Sequence, residues 1–459
     1  MRKGRLIALA LFVVTAMVAG CGSDADPPDP TKGDWHGAIE IPGQAVNVGV
    51  TFGDDGTATI DIPDQGAEDL PLKDVRSDRE AVEFAIPDIP GDPVFKGRYD
   101  SETGKITGDF TQSGQSFPLT LERGALAPPA RPQEPKPPFP YESEDVTFTS
   151  GDITVGGTLT TPEGDGPFPA VVLITGSGPQ DRNETLYAHK PFLLVADTLT
   201  RAGYAVLRTD DRGVGDTGGD LNQATYDDLA NDVTAGIDFL RARSEIHPTR
   251  IGLFGHSEGG YLAPMVAARP DSGVAFVVLM AGPAVSGGDV LIEQSGVIMR
   301  TEGAPPEVID RQIADTTEMV ALIRAGDIEG AKRAVERSNA ALPEELRLPE
   351  DDASAQITPY FAALINYDPA PALSALRIPV LAFYGDRDLQ VLSSQNEGPA
   401  RAALAQNPDA TVHVFGGLNH LMQPAETGAP SEYPTIETTI DPQVLTFITD
   451  WLTQHVPIS

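Results

Sequence analysis

The residues with the clearest capacity for chemistry are Gly255-His256-Ser257-Glu258-Gly259. This G-x-S-x-G string follows the apolar run Ile251–Gly255 and precedes a helical stretch, so the serine falls on a strand-to-helix turn. Such a turn holds its central residue in a strained backbone conformation that side chains two positions away would obstruct. Glycine at both flanks removes that obstruction, and the following helix lends positive potential to an oxyanion forming beside the serine. A nucleophilic serine needs a base, and the base needs an acid to orient it. Of the seven histidines, His36 lies in an N-terminal region of different texture and His247 ahead of the serine's strand. His256 flanks the serine, His413 is mid-strand, and His455 is on the last helix. His189 adjoins a helix start. His420, in the loop Gly416-Gly417-Leu418-Asn419-His420 after the last strand, is the expected base. The acid is expected after the preceding strand, in Gly385-Asp386-Arg387-Asp388-Leu389-Gln390-Val391, where Asp386 and Asp388 are both candidates.

These positions need a scaffold that sets three strand ends side by side. Residues 142–459 supply its pattern. Continuous apolar runs such as Ala170–Thr175, Tyr204–Asp210 and Ile251–Gly255 alternate with helical stretches near 191–202, 226–243 and 257–268. That rhythm predicts a mostly parallel sheet covered by helices on both faces, an α/β fold. Residues 283–366 break the rhythm with acidic, helical segments and are expected to form a cap over the strand C-termini, where sites form. The sheet resumes with 378–385 and 411–415, and a last helix is expected over 442–455. Residues 34–124 read differently. Short alternating runs (AIEI, VNVGVTF, TATIDI, AVEFAI, VFKGRY, KITGDF, FPLTLER) divided by Gly, Asp and Pro turns predict a small all-β domain. Between the two regions, residues 125–141 form a linker whose stretch 125–140 carries seven prolines in sixteen positions, expected to be a stiff extended spacer.

Composition narrows the partners. A net charge of −35 argues against nucleic acid, and a single cysteine excludes a disulfide framework and cysteine-based metal sites. No metal, cofactor or nucleotide-binding loop is called for. The one cysteine, Cys21, closes a leader with Arg2, Lys3 and Arg5 ahead of the apolar run Leu6–Val18. That run is too short to span a bilayer and has the build of a secretory signal. Its exit, Val18-Ala19-Gly20-Cys21, resembles the lipobox of bacterial lipoproteins. The resemblance implies that residues 1–21 are a signal and lipobox cut ahead of the cysteine, with lipid attachment at Cys21 as the new first residue and a tether over 22–33. Loss of the leader's three cations makes the remaining chain still more negative, so the expected hold on the membrane is the lipid alone.

The stretches GSGPQDRNE, RTDDRGVG, GHSEGG, YGDRDLQV and GLNH together make residues 142–459 resemble an α/β-hydrolase of the serine esterase type. The order Ser, Asp, His along the chain agrees with that fold. The resemblance favours Asp388 over Asp386, because such hydrolases commonly show G-x-x-D here. It also implies an oxyanion hole from the Glu258 N–H and a loop after the third strand. That loop reads Thr175-Gly176-Ser177-Gly178, so Ser177 is the expected second donor and Gly178 the alternative. Secreted bacterial hydrolases of this kind often carry an N-terminal β domain of unsettled role. The expected activity is carboxylic-ester hydrolysis on a small-molecule substrate. Peptidase, thioesterase or acyltransferase activity on the same residues is the alternative, and a non-catalytic binding lipoprotein a third. Asp210, Asp211 and Arg212 are expected to fix a loop, with substrate contact as the other option. His189 and Lys190 stand beside the oxyanion loop as possible substrate contacts or helix-start residues, and the Glu258 side chain as a possible amine binder.

Overall fold

A computed structural model describes residues 29–459, apart from 42–43, 64–66, 79, 88, 90, 128, 343–346, 349 and 459. The leader, Cys21 and most of the tether lie outside the described residues. The tether's last residues are already part of the fold: Thr31 is buried, and its carbonyl accepts from the Trp35 indole at 2.7 Å.

The first unit is one antiparallel sheet in the order β4-β3-β2-β1-β9-β8-β7-β6-β5. Its strands are β1 (Gly33–Ile41), β2 (Gln44–Phe52), β3 (Ala58–Ile62), β4 (Ala67–Pro71), β5 (Lys73–Ser77), β6 (Val82–Ala85), β7 (Val94–Asp100), β8 (Lys105–Gln112) and β9 (Gln115–Arg123). Alternation sets its inside. Ala58, Ile60 and Ile62 of β3 are buried while Thr59 and Asp61 between them are not. The core so enclosed includes Trp35, Phe52, Phe84 and Phe95. Strands β4 and β5, consecutive in the chain, stand at opposite ends of the sheet, so it curls round until it is nearly closed.

The second unit is a sheet in the order β10-β11-β13-β12-β14-β15-β16-β17. The hairpin β10 (Tyr141–Ser150) and β11 (Ile153–Pro162) is antiparallel, and β11 joins β13 (Ala205–Thr209) antiparallel. From there β13, β12 (Phe168–Ile174), β14 (Ile246–His256), β15 (Val274–Met280), β16 (Val380–Gly385) and β17 (Ala410–Phe415) run parallel. Both faces are covered, which is why the strands are apolar throughout. Ala170, Val172 and Ile174 of β12 join one core with α2 (Tyr226–Arg241) and α3 (Gly259–Ala267). Val171 and Leu173 join another with α1 (Pro191–Arg201) and α11 (Pro442–His455). Helix ends follow local chemistry: Thr225 and Asp228 form a reciprocal capping box at the start of α2.

Between β15 and β16 the chain forms α4 (Gly287–Thr301), α5 (Pro306–Arg324), α6 (Ile328–Ala340), α7 (Glu350–Ala355), α8 (Pro359–Asn366) and α9 (Ala370–Ala375). Helices α4, α5, α6 and α8 pack about a small core of their own around Val320, Ile323 and Ile365. Helix α10 (Ser393–Ala403) links β16 to β17.

The proline-rich segment is not a free spacer. Arg131 is buried and donates to the carbonyl oxygens of Tyr187 (2.8 Å), Pro434 (2.9 Å) and Ile436 (3.2 Å). Gln133 donates to Ile440 O at 2.8 Å and accepts from Thr439 N at 2.7 Å, while Glu134 pairs with Lys190 at 2.6 Å. Proline supplies no N–H, so the segment docks through side chains set between the prolines.

Candidate active site

The strand β14 ends at His256, and Ser257 follows with φ +51°, an uncommon conformation for a residue with a side chain. The flanking glycines are sterically required. A Cβ on Gly255 would lie 2.1 Å from Gly259 O, and one on Gly259 would lie 2.2 Å from Ile174 O. The turn is held by Ser257 N donating to Met280 O at 3.0 Å and Gly260 N donating to Ser257 O at 2.8 Å.

His420 and Asp388 come together from the loops after β17 and β16. His420 Nδ1 donates to Asp388 Oδ2 at 2.8 Å, and both residues are buried. Asp388 Oδ1 accepts from Gln390 N and Val391 N, each at 2.8 Å, so the carboxylate is fixed before it meets the ring. Asp386 is exposed and accepts instead from Gly417 N at 2.6 Å, staying apart from His420. Ser257 and His420 face one small cavity of about 80 Å³ with Gln180, Glu184 and Gln390. On its other side Ser257 opens on a larger cavity of about 330 Å³ beneath the cap, lined by Tyr261, Pro283, Val290, Leu291, Phe361 and Ile365 among others.

The loop after β12 is tied down on every side of Ser177. Gly176 N donates to Glu184 Oε1 at 2.7 Å and Gly178 N to the Tyr360 hydroxyl at 3.0 Å. Thr175 Oγ1 and Gln180 N both donate to Asp211 at 2.9 Å. The N–H groups of Ser177 and Glu258 have no acceptor among the described residues, and both residues line the larger cavity. Gly178, the alternative donor, has its N–H already engaged.

Several polar neighbours prove to be structural. Asp210 pairs with Arg182 at 2.5 Å, and Arg212 pairs with Asp232 at 2.7 Å rather than with its own neighbours. Burial pushes the Asp211 carboxyl up to about 8 against its hydrogen bonds from Gln180 and Thr175. His189 is buried between Thr439 and Tyr433 O, and burial, with the Arg131 charge nearby, brings it down to about 4. Lys190 is held by Glu134 of the linker, so neither His189 nor Lys190 reaches the cavities beside Ser257. The Glu258 side chain is not open to an amine. It is buried with Oε1 accepting from Tyr226 at 2.6 Å and Oε2 from Tyr360, and burial raises its pKa.

One pair escaped notice in the sequence. His256 Nδ1 donates to Glu184 Oε1 at 2.8 Å and its Nε2 to His420 O at 3.2 Å. Both partners are acceptors, an arrangement that favours a proton on each ring nitrogen. Burial opposes the resulting charge, yet the Glu184 carboxylate outweighs it and the His256 pKa is raised. The signal was present in GSGPQDRNE, whose terminal residue is Glu184.

Comparison with other proteins finds similarity to esterases and hydrolases. The esterase EstD of Thermotoga maritima is 29% identical over 323 residues, covering 68% of this chain and 70% of its own. The putative hydrolase YtaP of Bacillus subtilis is 32% identical over 123 residues, which is 23% of this chain and 41% of that protein. Among solved structures, the Pyrococcus furiosus esterase PF2001 aligns over 72% of this chain and 99% of its own, at 17% identity and a TM-score of 0.43. The family described as X-Pro dipeptidyl-peptidase (S15 family) matches residues 152–404, a span that holds Ser177, Ser257 and Asp388 and ends before His420. That match covers more than half of the chain, which places the protein among the hydrolases as a member of the X-Pro dipeptidyl-peptidase (S15) family.

Proposed function

We propose that the protein is a serine carboxylic-ester hydrolase working through an acyl-enzyme. The observation that carries this reading is the His420–Asp388 hydrogen bond at 2.8 Å beside a strained Ser257 that faces the same cavity as His420. With Nδ1 engaged by Asp388, the Nε2 of His420 is the nitrogen left to take the Ser257 proton as Oγ attacks the ester carbonyl. The N–H groups of Glu258 and Ser177 are the donors for the oxyanion. His420 returns the proton to the departing alcohol, then activates the water that releases the acid. A fluorophosphonate should label Ser257, and Ser257→Ala should lower p-nitrophenyl acetate turnover by ~10⁴-fold or more. Unchanged turnover in that variant would refute the assignment.

The family description favours a second reading, cleavage of dipeptides from peptide amino termini. A free α-amine bound beside Ser257 would want a carboxylate. Among the described residues, Glu258 in the larger cavity has both oxygens engaged by tyrosine hydroxyls, and Glu184 in the smaller one is paired with His256. The largely apolar lining suits an uncharged acyl or alkyl group better, and the relative named as an esterase agrees. Comparing X-Pro anilides with acyl esters at matched concentration separates the two.

The lipobox-like residues 18–21 support a further proposal, that Cys21 is lipidated and holds the enzyme on the extracytoplasmic side of the cell membrane. Palmitate labelling that persists in Cys21→Ala would overturn it.

A further inference from the structure

Cap helix α8 reaches the catalytic machinery through its second residue. The ring of Tyr360 is buried, and its hydroxyl stands between two groups of the hydrolase body. It accepts from Gly178 N at 3.0 Å and donates to Glu258 Oε2. Gly178 follows Ser177 in the loop after β12, and Glu258 follows Ser257. A single hydroxyl thus bonds both segments that carry the Ser177 and Glu258 N–H groups, which have no acceptor among the described residues. Its two partners are themselves constrained. Glu258 is also held by Tyr226 at 2.6 Å, and Gly178 sits at φ +89°, a left-handed conformation that suits glycine. The residue after Tyr360, Phe361, lines the 330 Å³ cavity together with Leu364 and Ile365 of the same helix.

Resting on the ester-hydrolase reading, we propose that Tyr360 is a positioning residue through which the cap sets the oxyanion hole. Its hydroxyl fixes the spacing of the Ser177 and Glu258 N–H groups. An apolar group that fills the cavity bears on α8, and through Tyr360 on that spacing. Oxyanion donors contribute only when they meet the developing charge at hydrogen-bond distance, so an effect on their placement falls on kcat more than on KM. An acyl chain that reaches α8 is accordingly turned over faster as well as bound better.

The test is Tyr360→Phe, which keeps the ring and removes both hydrogen bonds. Turnover of p-nitrophenyl acetate and butyrate is measured per site titrated to completion with a fluorophosphonate, so an unfolded fraction is not counted. The expected result is a ~10–100-fold lower kcat with KM within about threefold, and loss of the butyrate-over-acetate advantage in kcat. Phe361→Ala on the same helix should instead raise KM for butyrate. A Tyr360→Phe enzyme with raised KM and unchanged kcat would make Tyr360 a pocket wall, and one matching the wild type would make its hydroxyl idle; either overturns the proposal while the ester reading stands. A wild-type protein that neither labels nor hydrolyses either ester removes the ester reading and this proposal with it.

Discussion

Glu184 and His256, the residue that precedes Ser257, form a buried pair, 2.8 Å from oxygen to nitrogen. The same carboxylate oxygen holds Gly176 N, and the same ring donates to the main chain of His420. Two side chains therefore join the loop after β12, the turn at Ser257 and the loop that carries His420. The second oxygen of Glu184 is buried without a partner among the described residues, so the pair is maintained at some cost in desolvation.

The Glu184–His256 pair predicts a pH dependence of stability. The folded pKa of His256 is raised above the unfolded value of about 6.5, so its contribution is full below that pH and fades as pH rises through the folded pKa. Glu184→Gln should therefore melt below the wild type by the widest margin near pH 5.5–6, and the margin should narrow towards pH 9. Thermal unfolding across that range checks this; a constant margin would mean that the ring is neutral.

Asp388→Asn should lower kcat/KM for a p-nitrophenyl ester by ~10³–10⁴-fold, since the amide cannot hold His420 in the required tautomer. Asp386→Asn should stay within a few-fold, because among the described residues its carboxylate accepts only from Gly417 N. Steady-state kinetics on the two variants decide between the aspartates.

Arg131→Ala should destabilise the second unit although the residue lies outside it, in the proline-rich segment ahead of β10. The guanidinium serves three carbonyl oxygens from two separate loops, and hydrogen bonds to a charged group are worth about 1.5–3 kcal/mol. A loss of roughly 2–3 kcal/mol in urea unfolding is expected. An unchanged midpoint would show that the strap adds nothing.

Leu291→Trp should fill part of the cavity beneath the cap. Turnover of p-nitrophenyl hexanoate should fall about tenfold relative to acetate, the shorter chain needing less of the space. A uniform loss across chain lengths would place the acyl group elsewhere.

How far the sequence could be read depended on how local each signal was. The turn at Ser257 is specified within five residues, and the placement of His420 and Asp388 follows from parallel strands carrying their loops to one end of the sheet. Tyr360 was beyond reach because it meets Glu258 across 102 positions, through a cap without a repeating pattern. Arg131 was hidden by the prolines around it, which promised an extended chain but could not show where its side chains would dock. In the first domain, the seven alternating runs are strands, whereas β4 and β5 went unseen. AEDLP and KDVRS are too charged and too short to show a buried face.

Those two strands have a consequence for solubility. They are the margins of the nine-stranded sheet, where another chain would add itself by backbone pairing. Each is only five residues long, and each is distorted: Asp69 and Asp74 take positive φ, and the register slips where β3 meets β4 and where β5 meets β6. Asp69, Lys73, Asp74 and Arg76 add exposed charge along them. A strand approaching either margin meets a kinked and charged template, so this β-rich domain is guarded against amyloid-like self-assembly at its own seam.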